Sequence, residues 1–141
     1  MEGDKAIKKL EKLNDIFEGK KMLIVEDDDI GYSLLKEIFA VYDFFIKRAK
    51  DGLEAIEYFK HSKYAFDLVL MDLRLPNMNG FEATSRIKDI NPSIPVIAVT
   101  AYVHSQSIYD SQNCGCDEFV AKPFEIEYLI SVIQKYLTVK V

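Results

Sequence analysis

No stretch of this chain approaches the roughly 18 consecutive apolar residues that a membrane-spanning helix needs. The opening residues, "MEGDKAIKKLEK", carry no hydrophobic run of signal-peptide type. A cytoplasmic protein is the expectation. Positive charge is not in surplus either. The net charge of −5 speaks against a nucleic-acid surface, which needs clustered Lys and Arg. Cysteine is scarce: Cys114 and Cys116 stand one residue apart in "NCGCDEF". Two such sulfurs cannot make a zinc site alone, and neither His61 nor His104 offers a partner spacing. A disulfide around Gly115 would be strained. Both cysteines are therefore read as packing or capping residues.

What is present is enough for one domain with a real core: 141 residues, 49% of them apolar and 29% charged. Residues 1–19 differ from the rest. Ile7, Leu10, Asn14 and Phe17 recur at helical spacing among Lys and Glu, and Gly19 ends the pattern. This predicts a short N-terminal helical extension, read as a linker in preference to a docking or dimerising helix. From residue 20 to 141 short apolar runs alternate with amphipathic stretches. "MLIV", "FFIKRA", "DLVLM", "PVIAV" and "EFVA" read as strands, several of them continuous enough to be covered on both faces. Ile30, Leu34, Ile38 and Tyr42, then Leu53, Ile56 and Phe59, then Ala83, Ile87 and Ile90, mark the apolar core faces of three helices. Ile126, Leu129, Ile130, Ile133 and Leu137 mark the last, while residues 105–112 are a polar, weakly anchored helix.

Strands alternating with helices imply an α/β fold with a doubly wound parallel sheet. Right-handed crossovers then bring every strand's carboxyl end to one edge, where such sheets carry their site. The residues at those ends are Glu26 and Asp27, Asp72, Thr100 and Lys122. Asp27 and Asp72 are hard oxygen ligands suited to Mg²⁺. A divalent ion would offset the repulsion among the neighbouring carboxylates of "VEDDD". With a lysine and a hydroxyl beside them, they could clamp a phosphoryl group, and one carboxylate could be the nucleophile that receives it. Asp28 and Asp29 are better placed to start the first crossover helix, where an N-cap and the helix dipole favour negative charge. Asn79-Gly80 reads as the close of the loop after the third strand.

In their order and spacing, "LIVEDD", "LMDLRLPNMNG", "VIAVTAY" and "EFVAKPF" resemble the receiver domain of two-component response regulators. "GFEATSRIK" and "CGCDEFVAKPF" lean towards receivers attached to hybrid histidine kinases. The resemblance covers roughly residues 20–137. It implies a flavodoxin-like (βα)5 fold with strand order 2-1-3-4-5 and phosphorelay signalling. Asp72 would accept a phosphoryl group from a histidine kinase or histidine phosphotransfer protein. Asp27, Asp72 and the backbone carbonyl of Arg74 would hold Mg²⁺, with Glu26 acting through water. Lys122 would pair with the phosphoryl oxygens, and the Lys122–Pro123 bond would be cis. Thr100 would swing towards the phosphoryl group, letting Phe119 rotate inward. The last two strands and the fourth crossover helix would move, and a homodimer could form. Arg74 and Tyr102, two residues beyond Asp72 and Thr100, would tune phosphoryl lifetime by restricting water. Such a domain is a signalling switch that assists its own phosphoryl transfer and hydrolysis, not an enzyme in the ordinary sense.

Two rivals fit less well. A phosphatase of the haloacid dehalogenase type places a second Asp two residues after its nucleophile, but Arg74 stands there and cannot donate a proton. A receiver-like module that is never phosphorylated usually lacks an acid or the lysine, and here the set is complete. Histidine kinase activity has no support, since neither histidine lies in a phosphorylation motif and no glycine-rich nucleotide loop occurs. A self-standing regulator and a receiver cut from a hybrid kinase both remain open.

Overall fold

The computed structural model describes residues 2–61, 65–101 and 113–138. The helix expected over residues 105–112, and Tyr102, lie outside them. In chain order the elements are α1 (Glu2–Phe17), β1 (Lys21–Val25), α2 (Asp29–Phe39), β2 (Phe45–Ala49), α3 (Gly52–Phe59), β3 (Leu68–Met71), α4 (Gly80–Ile90), β4 (Val96–Thr100), β5 (Glu118–Ala121) and α5 (Ile126–Leu137). The strands form one parallel sheet in the order β2-β1-β3-β4-β5, the flavodoxin-like arrangement expected from the motifs.

Alternation along the strands builds two cores. Met22 and Ile24 of β1, with Leu68 and Leu70 of β3, face Leu35 and Phe39 of α2 and Leu129 and Ile133 of α5. Leu23 and Val25, with Val69 and Met71, face Ala55 and Ile56 of α3 and Ala83 and Ile87 of α4. Since successive strand residues point to opposite faces, a strand covered on both sides must be apolar throughout. β1 after Lys21, β3 and β4 are buried along their length. β2 lies at an edge, and its side chains are mostly half-buried.

Each of the four helix faces read from spacing in α2 to α5 carries at least one residue that the structure leaves exposed. On α2 the buried residues are Leu35 and Phe39, whereas Ile30 is 81% exposed and Leu34 51% exposed. Tyr42 lies past the end of α2 and packs edge-on to Phe17, ring centroids 5.0 Å apart. Leu53 on α3, Ile90 on α4 and Ile126 on α5 are likewise exposed, while Ile56 is buried as expected and is joined by Ala55. A four-residue row slips by about 40° per step around a helix, so spacing alone leaves open which row meets the sheet.

The N-terminal helix is docked on the domain. Leu13 and Phe17 are its buried residues, while Ile7 and Leu10 are exposed. Phe17 is fully buried and stacks on Phe44 at 4.8 Å. Asn14 Oδ1 accepts from the amide of Asp43, and the amide of Gly19 donates to the Asp43 carbonyl. Gly19 has φ +73°, a left-handed conformation that stops the helix and turns the chain into β1. These bonds join α1 to the α2–β2 loop and make it part of the first core. Phe17→Ala should therefore cost about 3–5 kcal/mol of unfolding free energy, and Ile7→Ala no more than about 0.5 kcal/mol; urea denaturation of the two variants checks this.

Candidate functional site

The site forms where the carboxyl ends of β1, β3, β4 and β5 meet. Glu26, directly after β1, is buried; Asp27 is exposed; Asp72, after β3, is partly buried. One oxygen from each of these three carboxylates lies within 4.8 Å of the others. Lys122, following β5, places Nζ 2.6 Å from Glu26 Oε1 and 3.6 Å from Asp72 Oδ2. The Lys122–Pro123 peptide bond is cis. Thr100, the fully buried last residue of β4, donates from Oγ1 to Asp72 Oδ1 at 2.9 Å. The amide of Arg74 donates to the same oxygen at 3.0 Å. Asp72 thus has one oxygen held by two donors and the other facing an ammonium.

The loops leading here are fixed by local chemistry. Asp28 caps α2, its Oδ2 accepting from the Gly31 amide at 2.8 Å. Asn79 caps α4 through the Glu82 amide. Gly80 next to it cannot carry a side chain, because a Cβ there would lie 2.3 Å from the Asp72 carbonyl oxygen and 2.6 Å from Leu73 Cα. That close approach, closed by the Gly80 amide bonding the Leu73 carbonyl, folds the β3–α4 loop back beneath Asp72. Arg74 and Pro76 from this loop line a cleft with Asp27 and Asn79.

One residue of the site had no place among the strand-end candidates. Arg48, near the end of β2, donates from Nε to the Glu26 carbonyl at 3.1 Å and from Nη2 to the Asp27 carbonyl at 3.2 Å. Its Nη1 lies 2.8 Å from Asp29 Oδ1, and its guanidinium sits over the Tyr32 ring at 4.6 Å. Arg48 is therefore a brace across the whole acidic turn. The strand order contains the clue: β2 neighbours β1, so the end of β2 flanks the end of β1.

The electrostatics follow from burial and these two cations. Burial pushes the Glu26 carboxyl above its usual range and the charge of Asp72 adds to this, while the hydrogen bond from Lys122 works the other way. For Lys122 burial favours the neutral amine, but the hydrogen bond and charge of Glu26, with the charge of Asp72, outweigh it and hold the ammonium above its ordinary value. Arg48 keeps Asp29 below the usual carboxylate range, with help from Lys50.

The placement of the remaining candidates is mixed. Phe119 lies on β5, half-buried against the core beneath α3 and α4. Arg74 is exposed at the rim. The Thr100 hydroxyl reaches Asp72 in this state of the chain, donating to its Oδ1. Three clustered carboxylates, Asp27 exposed and Asp72 partly so, suit Mg²⁺, which takes few protein oxygens and keeps several waters.

The chain is similar to known receiver domains in sequence and in fold. The family model for the response regulator receiver domain matches residues 22–134. Sporulation initiation phosphotransferase F of Bacillus subtilis is 36% identical, over 86% of this chain and 96% of its own length. Transcription factor SKN7 of Saccharomyces cerevisiae is 34% identical over 84% of this chain, which spans only 19% of that protein. The CheY-like receiver domain protein of Methanospirillum hungatei has a TM-score of 0.79 at 28% identity, covering 84% of this chain and 94% of that one. The receiver domain of sensor histidine kinase PA1611 from Pseudomonas aeruginosa, solved with magnesium in its active site cleft, has a TM-score of 0.78 at 26% identity, covering 86% and 99%.

Removing Lys122 isolates the charge problem. Lys122→Ala leaves two carboxylates facing each other, and should destabilise the metal-free domain by about 1–3 kcal/mol, less than a fully buried pair because the ammonium is partly solvated. Millimolar Mg²⁺ should restore much of that loss, as read from urea denaturation with and without the ion.

Proposed function

Because the chain belongs to the response regulator receiver domains, we propose that it works in a phosphorelay by taking a phosphoryl group onto Asp72 from a phosphohistidine of a histidine kinase or histidine phosphotransfer protein. The observation that carries this is the Asp72 carboxylate, held by Thr100 and Arg74 N–H at one oxygen and facing Lys122 with the other. An Asp72 oxygen forms the new P–O bond as the P–N bond to imidazole breaks, and the leaving imidazole takes up a proton. Mg²⁺, when bound by Asp27, Asp72 and the Arg74 carbonyl with Glu26 behind a water, supplies positive charge to the phosphoryl oxygens. Lys122 shifts from Glu26 towards the new group, and the Thr100 hydroxyl passes its hydrogen bond from the carboxylate to a phosphoryl oxygen. Phe119 and the elements around β4 and β5 follow, which is the conformational output. The same groups would support slow hydrolysis of the acyl phosphate, so the domain acts as a timed switch rather than as an enzyme with an independent substrate.

The phosphodonor would dock over the apolar surface beside the site. Leu34, Ile126 and Phe124 border a groove that also includes Lys122 and Pro123, with Ile30 exposed on the same helix as Leu34. Ile30, Leu34 and Ile126 are exposed here, and a helical partner presenting a histidine would bury them. The reading includes a cytoplasmic location, no nucleic-acid contact by this domain, and homodimerisation on phosphorylation. Among the described residues no helix is long and apolar enough to cross a membrane.

Intact-mass spectrometry after incubation with acetyl phosphate and Mg²⁺ tests the central step. One phosphoryl adduct is expected, lost on Asp72→Asn and on chelation of Mg²⁺; absence of the adduct with both acetyl phosphate and a phosphohistidine protein overturns the reading. Lifetime is a separate expectation. Arg74 at the rim, and Tyr102 by its position in the sequence, would restrict water, so Arg74→Ala and Tyr102→Ala should each dephosphorylate several-fold faster. Unchanged rates would remove both residues from that role.

A further inference from the structure

We propose that Cys114 and Cys116 form a reversible redox pair that closes to an intramolecular disulfide. The two Sγ atoms face each other at 3.7 Å across Gly115, and both residues are half-exposed as reduced thiols. Gly115 adopts φ +103°, a backbone state that side chains rarely take, and this turn presents the two flanking side chains to each other. A Cβ on Gly115 would also press on Lys88 Cγ at 3.2 Å. Bond formation requires the sulfurs to approach by roughly 1.7 Å from their 3.7 Å separation.

The surroundings make the two thiols unequal. Cys116 is the deeper partner: it packs against the core beneath α3 and α4, and its Sγ lies 3.8 Å from Thr84 Oγ1 of α4. The hydrogen bond with Cys116 lowers the Cys114 thiol to about 7 despite partial burial. The same contact, with burial, pushes the Cys116 thiol upward. The deeper packing of Cys116 against the core and Thr84 makes Cys114 the attacking thiol and Cys116 the resolving one. With a low-molecular-weight disulfide as oxidant, the Cys114 thiolate attacks one sulfur of the oxidant and expels the first thiolate. Cys116 then gives up its proton to that thiolate and attacks Cys114 Sγ, expelling the second. Two protein thiols are oxidised by two electrons, and one disulfide is reduced to two thiols. The ring closed over a single intervening residue is strained, which raises its reduction potential and makes it easy to reopen.

The test uses the full chain and oxidised glutathione, with mass spectrometry after rapid alkylation. Wild type should lose two hydrogens, lose both titratable thiols and recover them with dithiothreitol. Cys116→Ser should accumulate a glutathione adduct mapped to Cys114, and Cys114→Ser should react about ten-fold more slowly. Wild type that collects glutathione adducts without closing the ring, or two single variants that react equally fast, overturns the proposal. None of these readouts depends on phosphorylation.

Discussion

A single ammonium between two carboxylates holds the edge of this sheet together. Lys122 reaches Glu26 at 2.6 Å and Asp72 at 3.6 Å. Without it, three acidic side chains would share a space of less than 5 Å with only neutral donors beside them. Two like charges about 4 Å apart repel by roughly 4 kcal/mol at the effective dielectric of a protein surface, enough to protonate one group or open the turn. Lys122 comes from β5 and Glu26 from β1, 96 residues earlier. Their contact exists only because a parallel sheet delivers all its strand ends to one edge.

Other parts of the structure serve the same edge. Arg48 braces the backbone of the acidic turn from the β2 side, bonding two carbonyls and one carboxylate. Gly80 lets the β3–α4 loop pass against the Asp72 backbone, and Asn79 fixes where that loop becomes a helix. The cations are resident, so the acidic turn is partly compensated before any metal arrives. This divides the work: Lys122 and Arg48 allow the carboxylates to be built, and the remaining negative charge is what a divalent ion would meet.

The strand ends were legible in the sequence because each motif is a run of buried residues stopping at a polar one, and burial on both faces leaves few other ways to write such a strand. The helices were less so. Ile30 and Leu34 have the spacing of a core row yet lie exposed, since periodicity fixes a stripe and not its azimuth against the sheet. Arg48 escaped notice because it sits in an edge strand of mixed polarity, where a charged side chain is the ordinary occupant. Among the described residues α1 buries only Leu13 and Phe17, and its hydrogen bonds to Asp43 are made by groups with no apolar signal, so its docking is hard to read among the lysines and glutamates of that helix. The thiol pair was discounted for the strain of its ring; the structure shows that Gly115 has already brought the sulfurs together.

The charge arrangement also bears on why this site can switch. In the unphosphorylated chain Lys122 is closer to Glu26 than to Asp72, and Glu26 is nearly excluded from solvent. Phosphorylation would convert the single charge of Asp72 into a group carrying nearly two, so the ammonium is drawn across the site. As it leaves, burial pushes Glu26 further towards its protonated form unless a hydrated cation takes over as its partner. Under that proposal a shift of one lysine would couple three things at once: the occupancy of Asp72, the compensation of Glu26, and the position of the β5–α5 connection that carries Lys122 and Pro123. A buried carboxylate that cannot be left alone would then turn a local transfer of charge into a displacement of backbone.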